Sequence, residues 1–253
     1  MKRTTSIYHL FRPRSEAHAI ALSRAGYADG ADGTCYELAS LPPAERTVEV
    51  FRRIIAATPL PTIFCTYRND LFLGEDDEAR MESLFRAAEA GADYIDVMGD
   101  LYDPSPVQLT GSAEAVGRQR KAIERVHALG AKAIVSSHVT DRTLACGEIV
   151  EHLQAQADRG ADVCKLVAFL PTAADYVECV KALARLSEGF PRPWILLGSG
   201  AFGRLQRFTG PGFGCAVEFG VHDYDPQESY DQPTIRSLRE GLDAISWSVG
   251  RRG

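Results

Sequence analysis

The sequence has no run approaching the roughly 20 apolar residues that span a bilayer. Its opening stretch, MKRTTSIYHLFRPRSEAH, has no apolar segment of secretory-leader length. The expectation is a cytoplasmic protein with no membrane partner. Basic charge is not in excess either: 28 Lys+Arg stand against 34 Asp+Glu, a net −6, so nothing draws the chain to nucleic acid. The six cysteines, Cys35, Cys65, Cys146, Cys164, Cys179 and Cys215, form no CxxC pair, and four of them lie inside apolar runs. They read as small core hydrophobes rather than disulfides or metal ligands. The six histidines, at positions 9, 18, 127, 138, 152 and 222, have no ligand spacing, so neither a metal nor another cofactor is expected. No GxGxxG follows the first apolar run, which argues against a doubly wound dinucleotide-binding sheet.

Eight short runs rich in β-branched and aromatic residues are present: SIYHLF (6–11), TCYEL (34–38), TIFCTY (62–67), YIDVMG (94–99), AKAIVSSH (131–138), VCKLVAF (163–169), WILLGS (194–199) and AVEFGV (216–221). They are nearly continuously apolar, as strands covered on both faces are. Between them lie helical patterns. In ARMESLFRAAEAG, Met81, Leu84, Phe85 and Ala88 keep helical spacing and Gly91 supplies the C-terminal cap. EIVEHLQAQADRG repeats the pattern, ending at Gly160, and both helices run through Gly-Ala-Asp into a strand. A helix–Gly–strand unit with eight strands predicts an α/β protein, a single (β/α)8 TIM barrel. The 253 residues match the usual size of about 250 for that fold, so residues 1–253 read as one catalytic domain.

In such barrels chemistry sits at the C-terminal ends of the strands. Those ends carry Glu37, Arg68, Asp96, His138 and Lys165, although unpaired buried charge is costly. Lys165 is embedded between Val163-Cys164 and Leu166-Val167-Ala168-Phe169. Desolvation alone lowers a lysine pKa and leaves a neutral amine able to attack a carbonyl. The plain alternative is a lysine snorkelling from a strand start. His138 closes the preceding strand, where it can face the same pocket and carry protons. Arg68 and Arg207 are candidates to hold a carboxylate or hydroxyl. The segment 198–214 contains six glycines, and its composition fits a phosphate site as well as a carboxylate site.

With IVSSH at 134–138, GADVCKLVAFLP at 160–171 and the R-x-x-G-x-x-F-G block at 207–214, the chain resembles type I 3-dehydroquinate dehydratases, (β/α)8 enzymes of the shikimate pathway of aromatic amino acid biosynthesis. The resemblance runs from about residue 5 to the end. It implies that Lys165 forms an imine with a substrate ketone and that His138 takes a proton from the adjacent carbon and then helps the hydroxyl leave. It further implies substrate-binding roles for Glu37, Arg68, Arg207 and Gln232, a small carboxylate substrate, no cofactor, and a homodimer.

The chain also departs from that pattern. The family's E-W-R-x-D is here Glu37 followed by Leu38-Ala39-Ser40-Leu41, and the Lys/Arg-x-Gly-Gly-like stretch after the strand-three arginine is NDLFLGEDDE. Val139 and Thr140 replace the aspartate and phenylalanine after the histidine, and the serine of S-A-P-G-Q has no clean counterpart in PQESYDQ. Fewer donors then face the ring hydroxyls, which predicts weak activity on 3-dehydroquinate and better activity on a related cyclic β-hydroxy ketone. Alternative readings are a class I aldolase-type lyase on a phosphorylated sugar and a non-catalytic binding relative.

Overall fold

The computed structural model describes residues 5–225 and 231–246. The elements alternate as β1 (Ser6–Phe11), α1 (Glu16–Ala28), β2 (Gly33–Glu37), α2 (Val48–Ile55), β3 (Thr62–Cys65), α3 (Asp77–Glu89), β4 (Tyr94–Met98), α4 (Ala113–Ala128), β5 (Lys132–Val139), α5 (Cys146–Ala157), β6 (Val163–Phe169), α6 (Ala173–Ser187), β7 (Trp194–Ser199), α7 (Gly203–Thr209), β8 (Val217–Gly220) and α8 (Ile235–Ser246). Each strand pairs in parallel with its neighbour from β1 to β7, and β8 pairs with β1. The ring closes where the Ala216 amide, just before β8, donates to Trp194 O of β7 at 2.8 Å. This is a (β/α)8 barrel. Its third strand stops at Cys65, short of the expected 67, because Tyr67 O accepts from the Asp70 amide at 3.0 Å and Thr66 Oγ1 donates to Asp70 at 2.8 Å, so the chain turns there.

The sequence repeat has a physical function at the N-terminal rim. Gly91 and Gly160 adopt φ of +102° and +97°, conformations that L side chains resist, and so let the chain leave the helix. The following aspartates then cap a neighbouring strand: Asp93 accepts from the Thr62 amide of β3 and Asp162 from the Ala133 amide of β5, both at 2.8 Å. A third Gly-Ala-Asp, at 30–32, does the same for β1, Asp32 accepting from the Ile7 amide at 2.9 Å. Helix starts are fixed conventionally, as where Asp76 accepts from the Ala79 amide ahead of α3.

Strand side chains alternate between faces. Outward residues meet the helices; Tyr36 and Phe64 stack at 4.6 Å between centroids and Phe51 of α2 packs edge-on against Phe64 at 5.2 Å. Inward residues include Cys35 and Glu37, Cys65, Lys165 and Val167, and Leu197 and Ser199, which line one cavity at the C-terminal ends of the strands.

Candidate active site

Adjacent strands set the heart of that cavity. In the β5–β6 ladder Ser136 stands opposite Lys165 and His138 opposite Val167. His138 therefore lies two residues nearer the mouth than Lys165, on the same inward face. Both side chains line a cavity of about 440 Å³. A second cavity of about 560 Å³ lies alongside, sharing Leu10, Arg12, Glu37 and Gln232, but neither Lys165 nor His138 lines it. The smaller one brings Lys165 and His138 together.

Lys165 is only 5% exposed. Its Nζ donates to Asp96 Oδ2 and to the Tyr67 phenol oxygen, each at 2.9 Å, while Tyr67 donates to the same Asp96 oxygen at 3.0 Å. Ser136 hydrogen-bonds the other oxygen, Asp96 Oδ1. The Lys165 ammonium also faces the Phe219 ring at 5.3 Å. This arrangement corrects the expectation of a neutral amine. Burial does press the lysine pKa down and is the largest single influence, but the Asp96 carboxylate and smaller contributions outweigh it, and the pKa lies above the ordinary value. The resting lysine is an ammonium paired with Asp96. Tyr67 is held as a neutral phenol, because burial and the Asp96 charge push its pKa up.

His138 packs its ring edge-on against Tyr67, centroids 4.7 Å apart. Burial, then the charge of Lys165 and more weakly that of Arg207, lower its pKa to about 3 against the pull of Asp96, so the imidazole is a neutral base at physiological pH. Asp96 is engaged with Lys165, Tyr67 and Ser136. What orients the His138 backbone is Gln108 from the β4–α4 loop: its Oε1 accepts from the His138 amide at 2.8 Å, and its own carbonyl accepts from Ser137 Oγ at 2.6 Å. Gln108 holds φ of +50°, an unusual conformation for a non-glycine residue at a site mouth. The loop comes so close that a Cβ at Gly99 would sit 2.5 Å from Gln108 O and 2.7 Å from Ser137 Oγ.

Arg207, on α7, is buried on the cavity wall, and its Nε and Nη1 have no hydrogen-bond partner. Burial lowers its pKa, opposed by Glu218 once that carboxyl ionises and by Asp231, and it remains a cation with unsatisfied donors. The glycine-rich segment around it is closed rather than open. Gln206 Oε1 accepts from the Gly198 amide at 2.6 Å, and the Gly203 amide donates to Gly200 O at 2.9 Å. These amides are engaged within the protein, and the donor presented to the cavity is a guanidinium.

Glu37 lies at the cavity wall with Arg12 Nη2 at 2.9 Å and Asn69 Nδ2 at 3.4 Å. Arg12 follows the last residue of β1 and lines the cavity; no local signal marks it, since RPRSE reads as charged surface. Arg68 also lines the cavity, but its guanidinium is clamped by Asp100 at 2.9 Å and Asp77 at 3.0 Å. Gln232 faces the cavity from the segment ahead of α8. All six predicted residues thus line one cavity. Tyr67, Arg12 and Gln108 join them.

The family model for type I 3-dehydroquinase matches residues 35–248. The 3-dehydroquinate dehydratase of Klebsiella pneumoniae subsp. pneumoniae is 30% identical over 196 residues, covering 76% of this chain and 72% of the relative. That of Listeria monocytogenes serotype 4a is 27% identical over 210 residues, 83% and 77% respectively. In three dimensions the crystal structure of 3-dehydroquinate dehydratase from Geobacillus kaustophilus superposes with a TM-score of 0.79 at 15% identity, covering 95% of this chain and 91% of that one. The Enterococcus faecalis structure gives 0.79 at 17% identity, with 97% and 96% covered. The chain belongs to the type I 3-dehydroquinase family and is an enzyme of that carbon–oxygen lyase class.

Proposed function

We propose that the chain, as one catalytic domain over residues 1–253, dehydrates 3-dehydroquinate through an imine on Lys165. The observation that carries the assignment of residues is the inward ammonium of Lys165, 2.9 Å from Asp96 and two ladder positions below the neutral imidazole of His138. Asp96 takes a proton from the ammonium, and the freed amine attacks the ketone. Loss of water gives an iminium that acidifies the neighbouring carbon. His138 removes that proton. The enamine electrons then expel the β-hydroxyl, which leaves as water with the proton from His138, and hydrolysis returns Lys165.

Arg207 is the group suited to the substrate carboxylate, being buried, cationic and short of partners. Arg12, beside Glu37, supplies a guanidinium near where the E-W-R arginine is missing. That supports 3-dehydroquinate itself over an altered ring. The aldolase reading wants a phosphate cradle, and the engaged amides of Gly198 and Gly203 count against it.

Borohydride trapping with 3-dehydroquinate, read by intact mass, tests the assignment. Wild-type protein should gain one adduct at Lys165, and Lys165→Ala should gain none and lose turnover. His138→Ala should still trap substrate while turnover falls by about 10²–10⁴-fold. An adduct on Lys132 or Lys181 defeats the reading.

A further inference from the structure

Imine formation needs more proton transfers than a lysine and a carboxylate manage alone. After the amine attacks, the nitrogen is cationic and the former carbonyl oxygen anionic. A proton must pass from that nitrogen to that oxygen, yet the two atoms sit on the same carbon, and direct transfer requires a strained four-membered arrangement. A hydroxyl group beside both converts it to a relaxed six-membered relay.

Tyr67 sits where such a group is needed. It stands two residues past the end of β3, and its phenol oxygen is 2.9 Å from Lys165 Nζ and 3.0 Å from Asp96 Oδ2. It lines the cavity together with Lys165 and His138. Its contacts also restrict the direction of attack. A neutral amine has two N–H bonds and one lone pair. Once Asp96 has taken the proton it accepts from the ammonium, the amine turns about its Cε–Nζ bond, and the N–H still donated to Tyr67 limits where the freed lone pair can point.

We propose that Tyr67 is a further catalytic residue of the imine-forming step, aiming the Lys165 lone pair and relaying a proton from the attacking nitrogen to the carbinolamine oxygen. The inference rests on the Lys165 imine. The steps balance. Asp96 first takes one proton from the ammonium, and its carboxyl then ceases to attract the phenol O–H, which turns toward the new alkoxide. In the relay an N–H bond breaks and a phenol O–H forms, while the original phenol O–H breaks and the carbinolamine O–H forms. The phenol ends as it began. The proton held by Asp96 then leaves with the hydroxyl as water, and the C=N bond closes. A neutral phenol is required throughout, which agrees with the upward push that burial and Asp96 give its pKa.

The test is rapid-quench borohydride trapping of full-length protein with 3-dehydroquinate, following the rate of Lys165 adduct formation against substrate concentration and pH. Tyr67→Phe removes only the hydroxyl. Adduct formation should slow by about 10²–10⁴-fold, the range for a positioned proton-transfer group, with the half-saturating concentration unchanged. A second protein carries 3,5-difluorotyrosine at position 67. Its more acidic phenol should bring an alkaline fall in the adduct rate down to lower pH, because a phenolate cannot relay; a packing role would leave that profile in place. Adduct formation in Tyr67→Phe within about tenfold of wild type, below the usual range, overturns the proposal, as does an unshifted profile in the fluorinated protein. If wild type forms no Lys165 adduct, the imine reading itself falls and Tyr67 with it. If wild type traps normally, the outcome bears on Tyr67 alone.

Discussion

At Lys165 two opposed influences act on one nitrogen. Burial favours the neutral amine and Asp96 favours the ammonium, and Asp96 with smaller contributions wins. Asp96→Asn keeps the shape and removes the charge, leaving burial unopposed by a carboxylate. The Lys165 pKa should then fall, because its largest upward influence is gone. Maximal adduct formation should accordingly slow, because no carboxyl supplies the proton that leaves with the hydroxyl as water, while its acid limb moves to lower pH. An acid limb that stays in place would show that Asp96 does not set the lysine charge. The sequence made Lys165 and His138 visible because an ionisable residue in an apolar strand is costly unless used. It hid Tyr67, since tyrosine is an ordinary strand residue. Arg68 was visible as a charge, but its clamp by Asp77 and Asp100 joins residues 9 and 32 positions away. The neutral-amine expectation erred for the same reason: Asp96, though noticed as a strand-end charge, lies 69 residues from Lys165 in sequence.

Among the elements, the loops after β2 and β3 depart most from the family pattern, and the structure shows what holds them. Arg46, from the loop after β2, donates to Asp70, from the loop after β3, at 2.7 and 3.0 Å, and also to Leu38 O and Leu41 O. Both side chains are fully buried. Asp70 further accepts from Thr66 Oγ1 and the Phe72 and Leu73 amides. Burial acts to raise the Asp70 pKa, but Arg46 and these donors together hold it below its usual value. In the chain, Glu37 directly precedes Leu38 and Arg68 lies two residues before Asp70. Removing one partner of a buried pair typically costs about 3–5 kcal/mol. Asp70→Ala should lower unfolding stability in urea by that amount, and a loss under about 1 kcal/mol would mean the loops are held by other contacts. Strand positions were legible because apolar runs and Gly-Ala-Asp junctions are local signals. The third junction, at 30–32, is a weaker local signal because Gly33 and Thr34 follow it instead of an apolar residue. The loop lock was not legible at all, since nothing local distinguishes Arg46 or Asp70 from surface charge.

For the whole molecule, buried titratable groups dictate how stability responds to acid. His9 and His152 have pKa values lowered to about 4 and His138 to about 3, chiefly by burial, from an ordinary 6.5. A histidine with a depressed folded pKa binds its proton only in the unfolded chain between those two values, so stability falls as pH drops below 6.5. At pH 5 each has crossed about 1.5 units, and at 1.36 kcal/mol per unit the three together cost about 6 kcal/mol. Glu218 works in the opposite sense. It is fully buried, and burial raises its pKa to about 8 from 4.5 against the pull of Arg207 and the Cys215 thiol. Between those values the folded state holds the extra proton, so stability rises as pH falls, by about 2.7 kcal/mol from pH 7 to pH 5. The net expectation is a loss of about 3 kcal/mol over that interval. Glu218→Gln keeps the volume and deletes the opposing titration, so its loss from pH 7 to pH 5 should be about twice that of wild type, near 6 kcal/mol. Urea unfolding of both proteins at the two pH values decides the matter. A Glu218→Gln protein whose acid loss equals that of wild type would show that Glu218 is ionised in the fold at neutral pH, and that Arg207, the cation behind the proposed carboxylate site, already has a buried counter-charge.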